Sequence, residues 1–173
     1  MGVAVGNPAP AATGGLLIVW HSRTGAARAM AAAAFAGALE EGPARLVAAG
    51  HAGPEDILSA GGYLFVCPEN LGSMTGEMKT FFDLSYYSVI GRIEGRPYAT
   101  AIAAGSAGQG AEAQIDRIVT GWRLRRVAPS LIVNLHADTA ESILAAKTVH
   151  PDEIATCHDL GRSLAAGLQL GIF

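Results

Sequence analysis

The sequence has few charged residues and few cysteines, and both shortages narrow the class of protein. Charged side chains make up 16% of the 173 residues and hydrophobic ones 50%, whereas an ordinary domain carries about 25% charge. This balance excludes an intrinsically disordered chain. Cys67 and Cys157 are the only cysteines, too few and too far apart for a disulfide framework or a zinc knuckle. We therefore expect two buried free thiols in a reducing compartment.

The sequence also lacks an excess of positive charge. Twelve basic and fifteen acidic residues give a net charge of −3 without a run of one sign, which argues against nucleic-acid binding and against a polybasic membrane patch. The histidines show no HExxH or similar ligand spacing, so no metal site is expected. No apolar run reaches about 18 residues, and we expect no membrane span.

The N-terminal segment has no charged residue at all between Met1 and Ser22. A secretory signal would need a positively charged start and a longer apolar run than Leu16–Trp20. We expect instead a flexible tail over residues 1–15, a single domain over residues 16–173, and a cytoplasmic location. One domain also suits the length of the chain, since domains typically have about 100–200 residues.

Apolar runs alternate with helix-like segments along the rest of the chain. Continuous apolar runs are typical of strands buried on both faces of a parallel sheet, and they predict strands at Leu16–Trp20, Gly62–Cys67, Tyr98–Ala104 and Leu131–Leu135. Arg45–Ala49 is predicted as a further strand, the second along the chain. Helices are predicted in the segments between these strands and from Pro151 onward. The pattern predicts a three-layer α/β sandwich with a five-stranded parallel sheet.

Two helix starts can be predicted residue by residue. Asp138 is expected to cap a short helix, because Glu141 follows it three residues later as in a capping box. Pro151 suits the first position of the last helix, where a missing N–H costs nothing.

Three loops that follow predicted strands have an unusual composition. Ser22–Ala27 places two hydroxyls and a glycine at the start of a helix, where free N–H groups and the helix dipole suit a phosphate. Pro68–Thr75 and Gly105–Gly110 follow the next two long apolar runs, and their backbone groups could meet the edge of a flat heterocycle. In open parallel sheets, ligands bind beyond the carboxyl ends of the strands, where these loops would meet.

Two common nucleotide-binding patterns are missing from these loops. The chain has no GxxxxGK[ST], which disfavours ATP or GTP hydrolysis, and no GxGxxG after the first strand, which argues against a Rossmann dinucleotide site. A single terminal phosphate fits the first loop better.

These segments resemble the flavodoxin-like FMN proteins and the NAD(P)H-dependent FMN or quinone reductases. Trp20–Gly25 is similar to their phosphate loop, in which an aromatic residue precedes S/T-x-T-G. The segment from Pro68 to Asp83 is similar to their isoalloxazine loop and the helix that follows it. Arg96-Pro97-Tyr98 opens a matching fourth strand, and the resemblance covers nearly the whole domain.

The resemblance implies the strand order 2-1-3-4-5, with FMN at the switch between strands one and three and NAD(P)H as a transient co-substrate. It implies that the FMN phosphate is wrapped by Ser22, Arg23, Thr24, Gly25, Ala26 and Ala27. It implies that the flavin is lined by Pro68, Glu69, Asn70, Leu71, Gly72, Ser73 and Met74, and that its pyrimidine side touches Gly105, Ser106 and Gly108. No catalytic side chain is assigned, because hydride transfer to flavin needs no protein acid.

Three functions are compatible with these features. The leading hypothesis is an FMN-dependent oxidoreductase that passes a hydride from NAD(P)H to a quinone or similar acceptor, acting as a homodimer or homotetramer. Tyr86 or Tyr87 is a candidate for the subunit contact. A flavodoxin-type electron carrier is the second possibility. The third is a flavodoxin-like module without flavin, which Ala27 would permit because many family members have a hydroxyl residue there.

Overall fold

The computed structural model describes residues 14–173 as strands alternating with helices. In chain order the elements are β1 (Leu16–Trp20), α1 (Ala26–Glu41), β2 (Ala44–Ala48), α2 (Pro54–Ser59), β3 (Gly62–Asn70), β4 (Ser73–Met74), α3 (Gly76–Val89), β5 (Pro97–Ala104), α4 (Gln109–Gly121), β6 (Arg125–Arg126), β7 (Leu131–Asn134), α5 (Ala140–Leu144) and α6 (Pro151–Leu170). None of these helices is long and apolar enough to cross a membrane.

The five long strands form a parallel sheet in the order β2-β1-β3-β5-β7. Counting only these strands, the order is 2-1-3-4-5, so the three-layer α/β fold is confirmed. The two-residue strands were not predicted: β4 pairs antiparallel with β3, and β6 adds to the start of β5. All eight residues of β5 are buried, which explains the continuous apolar run that predicts it.

The two faces of the sheet are covered in different ways. Aromatic residues dominate one face, where Phe65 lies 5.1 Å from Phe82 and Phe82 lies 5.3 Å from Trp122, measured between ring centroids. The other face packs against the alanine-rich α1 and the last helix, α6. These two helices approach so closely that a Cβ on Gly161 would overlap the carbonyl group of Ala34.

The predicted loop from Pro68 to Thr75 is a β-hairpin instead. β3 continues to Asn70 and β4 returns beside it, with the pairs Glu69–Met74 and Asn70–Ser73. Leu71 and Gly72 form the two-residue connection with φ of 54° and 73°, the left-handed values that tight hairpins need. Polar residues at the end of β3 conceal this hairpin from an analysis based on apolar runs.

The helix starts are partly as predicted. His150 caps α6, and Pro151 occupies its first turn as expected. The prediction that Asp138 caps α5 is wrong. Thr139 is the cap: its Oγ1 accepts from the Ser142 N–H at 3.1 Å, and Ser142 Oγ accepts from the Thr139 N–H at 3.0 Å.

The predicted N-terminal tail falls mostly on residues 1–13, which lie outside the described residues. Gly15, its last predicted residue, accepts a hydrogen bond from the Gly61 N–H at 3.0 Å. Both cysteines are buried and free.

Candidate functional site

A cleft of about 540 Å³ opens at the carboxyl edge of the sheet, within the size range of small-molecule sites. It lies beyond the carboxyl ends of β1 and β3, the switch point of this strand order, where the helices that follow the two strands cover opposite faces of the sheet. Of the residues that the sequence predicts for the site, those lining the cleft are Ser22, Arg23, Thr24, Ala26, Ala27, Pro68, Glu69, Asn70, Leu71, Gly72, Gly105 and Ser106.

Four predicted residues do not line the cleft. Gly25 caps α1, and its N–H donates to Ser22 Oγ at 3.1 Å. Ser73 Oγ donates to carbonyl groups of its own hairpin, and Met74 is buried beneath that hairpin. Gly108 is the buried cap of α4. These residues shape the backbone around the cleft.

The start of α1 is built as an anion site. Gly25 has a φ of 103°, and α1 has neither a side-chain cap nor an acidic residue in its first turn. The first N–H groups of a helix have no intrahelical partner, and they lie at the positive end of the helix dipole. The hydroxyls of Ser22 and Thr24 and the exposed guanidinium of Arg23 stand beside them. The arrangement can bind one phosphate group.

The hairpin between β3 and β4 forms a second wall of the cleft and is attached to α4. Glu69 Oε2 accepts from the N–H groups of Gly110 at 2.8 Å and Ala111 at 3.1 Å. The Met74 N–H donates to Gln114 Oε1 at 2.9 Å. Leu71, at the end of the hairpin, is 98% exposed, so it offers an apolar surface that no other part of the described chain covers.

The third loop closes the cleft floor against β7. The carbonyl of Gly105 accepts from the Ala137 N–H at 2.9 Å, and that of Ser106 accepts from Asn134 Nδ2 at 2.8 Å. Both loop carbonyls are thus bonded to the end of β7 or to the segment that follows it, which fixes the position of the loop.

A fourth wall was missed by sequence reasoning. The additional residues that line the cleft are Ala103, Leu135, Ala137, Ile143, Leu144 and Lys147. Ile143 and Leu144 come from α5, which has no buried residue. We call these two side chains the α5 wall. Their only sequence signal is an apolar pair in a short polar helix, too weak to place them at the site.

Lys147 holds the α5 wall in place. Its Nζ donates to the carbonyls of Ile143 at 3.0 Å and Ala145 at 2.6 Å, and also to that of Ser142. Its backbone N–H donates to the Thr24 carbonyl at 2.8 Å. The α5 wall is therefore bonded directly to the loop that begins α1. The Lys147 ammonium group is a second positive charge at this end of the cleft, besides the guanidinium of Arg23.

Two titratable groups near the cleft are shifted by their surroundings. Burial lowers the pKa of His21 below its usual value of 6.5; Arg23 adds to this effect and Glu77 opposes it. Burial raises the pKa of the Cys67 thiol to about 12, so this thiol stays protonated and is no nucleophile. Residues 14–173 hold no group of three or more His, Cys, Asp or Glu side chains suited to a metal ion.

A family model described as NADPH-dependent FMN reductase matches residues 48–139. The chain belongs to this family. It is also 30% identical over 161 residues to a flavodoxin of Aquifex aeolicus (strain VF5), an alignment that covers 88% of this chain and 85% of that one. The resemblance to flavodoxin-like FMN proteins is therefore confirmed.

Solved structures of flavodoxin-like proteins share the fold. A flavodoxin from the domain Archaea has a TM-score of 0.71 at 15% identity, with 89% of this chain and 98% of that chain covered. A flavodoxin described as a WrbA-like protein from Agrobacterium tumefaciens has a TM-score of 0.63 at 18% identity, with 90% of this chain and 97% of that chain covered. At these identities the likeness supports the fold alone.

Proposed function

We propose that this FMN reductase family member is an FMN-dependent oxidoreductase that passes a hydride from NAD(P)H to a quinone or similar small acceptor. The observation that carries the proposal is the composition of the cleft. One end is an uncapped helix N-terminus, and exposed aliphatic side chains from the hairpin and from α5 also line the cleft. None of the cleft-lining residues in the described part of the chain is aromatic.

The start of α1 fits the phosphate of FMN. Ser22 and Thr24 supply hydroxyls, and the first N–H groups of α1, including those of Ala26 and Ala27, supply donors to the same anion. Arg23 and Lys147 add positive charge at this end. Ala27 brings no hydroxyl, which removes one charge-assisted hydrogen bond of about 1.5–3 kcal/mol.

The opposite end fits a flat ring system. Pro68, Asn70 and Gly72 border it on one side, and Gly105 and Ser106 border it on the other. Leu71 in the hairpin and Leu144 in the α5 wall are 98% and 80% exposed. They add aliphatic surface to the cleft, and neither is an aromatic side chain that would stack on the ring. Hydride transfer requires such an accessible ring face, because the nicotinamide and then the acceptor must each contact it.

Bound FMN would supply the hydride and electron chemistry. The chain itself binds the phosphate through the start of α1, orients the ring between the hairpin and the Gly105 loop, and leaves one side open. We assign no side chain as a proton donor. Tyr87, which is 88% exposed on α3, is our candidate for a contact in a homodimer or homotetramer.

The proposal is tested by loading the purified protein with FMN and mixing it anaerobically with NADH or NADPH. We expect loss of the flavin absorbance within seconds, followed by its return when a simple benzoquinone is added. Steady-state rates with varied nicotinamide and quinone should show ping-pong kinetics. The FMN-free protein is the control, and it should show no quinone reduction.

The electron-carrier hypothesis is the second candidate, and the relative named flavodoxin favours it. If neither nicotinamide reduces the bound flavin while dithionite reduces it in two separate one-electron steps, the first product being long-lived, the reductase proposal is wrong and the carrier is supported. Among residues 14–173, no aromatic side chain lines the cleft. This argues for the reductase, because carriers of this fold usually enclose the flavin between aromatic rings. The net charge of −3 also gives little electrostatic steering toward a protein partner.

A further inference from the structure

Two helices begin at the cleft edge, and their N-termini have different partners. α1 begins after Gly25 and α4 begins after Gly108; both glycines have left-handed backbones, and neither helix has a cap from its own cap residue. The start of α1 is open to the cleft. The start of α4 is already occupied by the carboxylate of Glu69, which comes from the hairpin.

Glu69 belongs to the hairpin, but its carboxylate caps the N-terminus of α4. Its Oε2 accepts from the Gly110 N–H at 2.8 Å and the Ala111 N–H at 3.1 Å. Hydrogen bonds from N–H groups to a carboxylate are charge-assisted and stronger than neutral ones, and the helix dipole favours a negative charge at this place. The carboxylate is therefore held firmly at the start of α4.

The end of the hairpin depends on this attachment. Asn70, Leu71 and Gly72, which we call the hairpin tip, all line the cleft. Leu71 is almost fully exposed, so the tip gains little from packing its own side chains. The tip rests on α4 so closely that a Cβ on Gly110 would overlap the Gly72 carbonyl.

We propose that Glu69 is a positioning residue, which fixes the hairpin tip against α4 and so sets the distance between the tip and a ring bound in the cleft. The inference rests on the proposed function. Glu69 acts through the backbone of residues 70–72 and takes no proton from a reactant. Its role explains why an acidic residue lies beside a cleft that is suited to a phosphate-bearing ligand.

The role predicts a graded series of variants. Glu69→Ala removes the acceptor and frees the hairpin tip. Glu69→Gln keeps an oxygen at the same place but loses the charge, so it should restore part of the effect. Glu112→Gln is the matched control. Glu112 is an acidic residue within the first turn of α4 itself, and its carboxylate lies 3.8 Å from the guanidinium of Arg126.

Amide hydrogen exchange measures the attachment without any ligand. In the flavin-free protein, we expect the N–H groups of Gly110 and Ala111 to exchange about tenfold faster or more in Glu69→Ala. The increase should be smaller in Glu69→Gln and absent in Glu112→Gln. Because Glu69→Gln is nearly isosteric, it keeps the test decisive if Glu69→Ala fails to fold.

FMN titration and redox titration measure the consequence. We expect the Kd for FMN to rise about tenfold in Glu69→Ala and the midpoint potential of the bound flavin to shift, with Glu69→Gln between Glu69→Ala and the wild type. Unchanged exchange in both Glu69 variants would overturn the inference, and so would faster exchange with an unchanged Kd and potential. A wild-type protein that binds no FMN would overturn the proposed function itself, and with it this inference.

Discussion

Gly25 sits where β1 turns into α1, and its backbone has a φ of 103°. Side chains rarely adopt this conformation, and a β-branched one is strained there. The space around a Cβ is adequate, since its nearest neighbour would be the Lys147 carbonyl at 3.7 Å. The requirement for glycine therefore comes from the backbone angle and not from crowding.

Replacing Gly25 with valine should remove FMN binding while leaving the fold intact. The substitution strains the turn that aims the first N–H groups of α1 into the cleft, and those groups are the proposed phosphate donors. Fluorescence titration with FMN measures the loss, and circular dichroism checks the fold. Gly50→Val is the control, because Gly50 lies outside the cleft and a Cβ there meets nothing within 4 Å. Full FMN occupancy in Gly25→Val would place the phosphate elsewhere.

His21 provides a pH-dependent test at the same end of β1. Its Nδ1 lies 3.0 Å from Thr75 Oγ1, the side chain is half-buried, and burial lowers its pKa below 6.5. As the pH falls, His21 therefore binds a proton in the unfolded chain at a higher pH than in the folded chain. The stability that comes from a neutral His21 is present above pH 6.5 and is lost as the pH falls through the folded value.

An NMR titration of the His21 ring in the flavin-free protein should give a midpoint below 6.5. Glu77→Gln should lower this midpoint further, because it removes a carboxylate that favours the charged ring. Arg23→Gln should raise it, because it removes a repelling cation. A wild-type midpoint at or above 6.5, or shifts of the opposite sign, would contradict this account of the burial of His21.

At the scale of elements, α1 and α6 pack backbone against backbone. Gly161→Ala should destabilise the fold by about 1–3 kcal/mol, because the added methyl group overlaps the Ala34 carbonyl and forces the helices apart. Gly76→Ala is the control: Gly76 is also helical, but a Cβ there meets nothing within 4 Å. That variant should be neutral or up to about 1 kcal/mol more stable. Urea unfolding measures both, and equal effects would contradict the close helix contact.

The elements also show which features the sequence reveals. The strands β1, β3 and β5 are visible because each contains an apolar run buried on both faces. The strands β2 and β7 are less buried. The hairpin is hidden because the polar residues Glu69 and Asn70 end the apolar run of β3, and because the α4 groups that hold Glu69 are 41 and 42 residues away in sequence. The α5 wall is hidden for a related reason: α5 buries nothing, so no periodic pattern marks it, and its place at the cleft depends on the long-range bond from Lys147 to Thr24.

At the scale of the whole molecule, the cleft offers one open helix N-terminus, since Glu69 occupies the other. We therefore expect tighter binding of FMN than of FAD, whose second phosphate and adenosine would find no matching donors among the described residues of the cleft.

At a free FMN concentration of one hundred times its Kd, the free energy of unfolding should rise by about 2.7 kcal/mol. Fluorescence quenching and thermal unfolding with each flavin test this. Equal or stronger effects of FAD would contradict it.

The bond between the Lys147 N–H and the Thr24 carbonyl has a consequence for the order of events during synthesis. The ribosome completes β1 and the start of α1 early, but Lys147 and the α5 wall emerge only after every strand of the sheet. Before that point a nascent chain lacks the α5 wall of the cleft. Tight FMN binding is therefore expected only after Lys147 has left the exit tunnel, and a nascent chain that ends before Lys147 should bind FMN more weakly than the full chain.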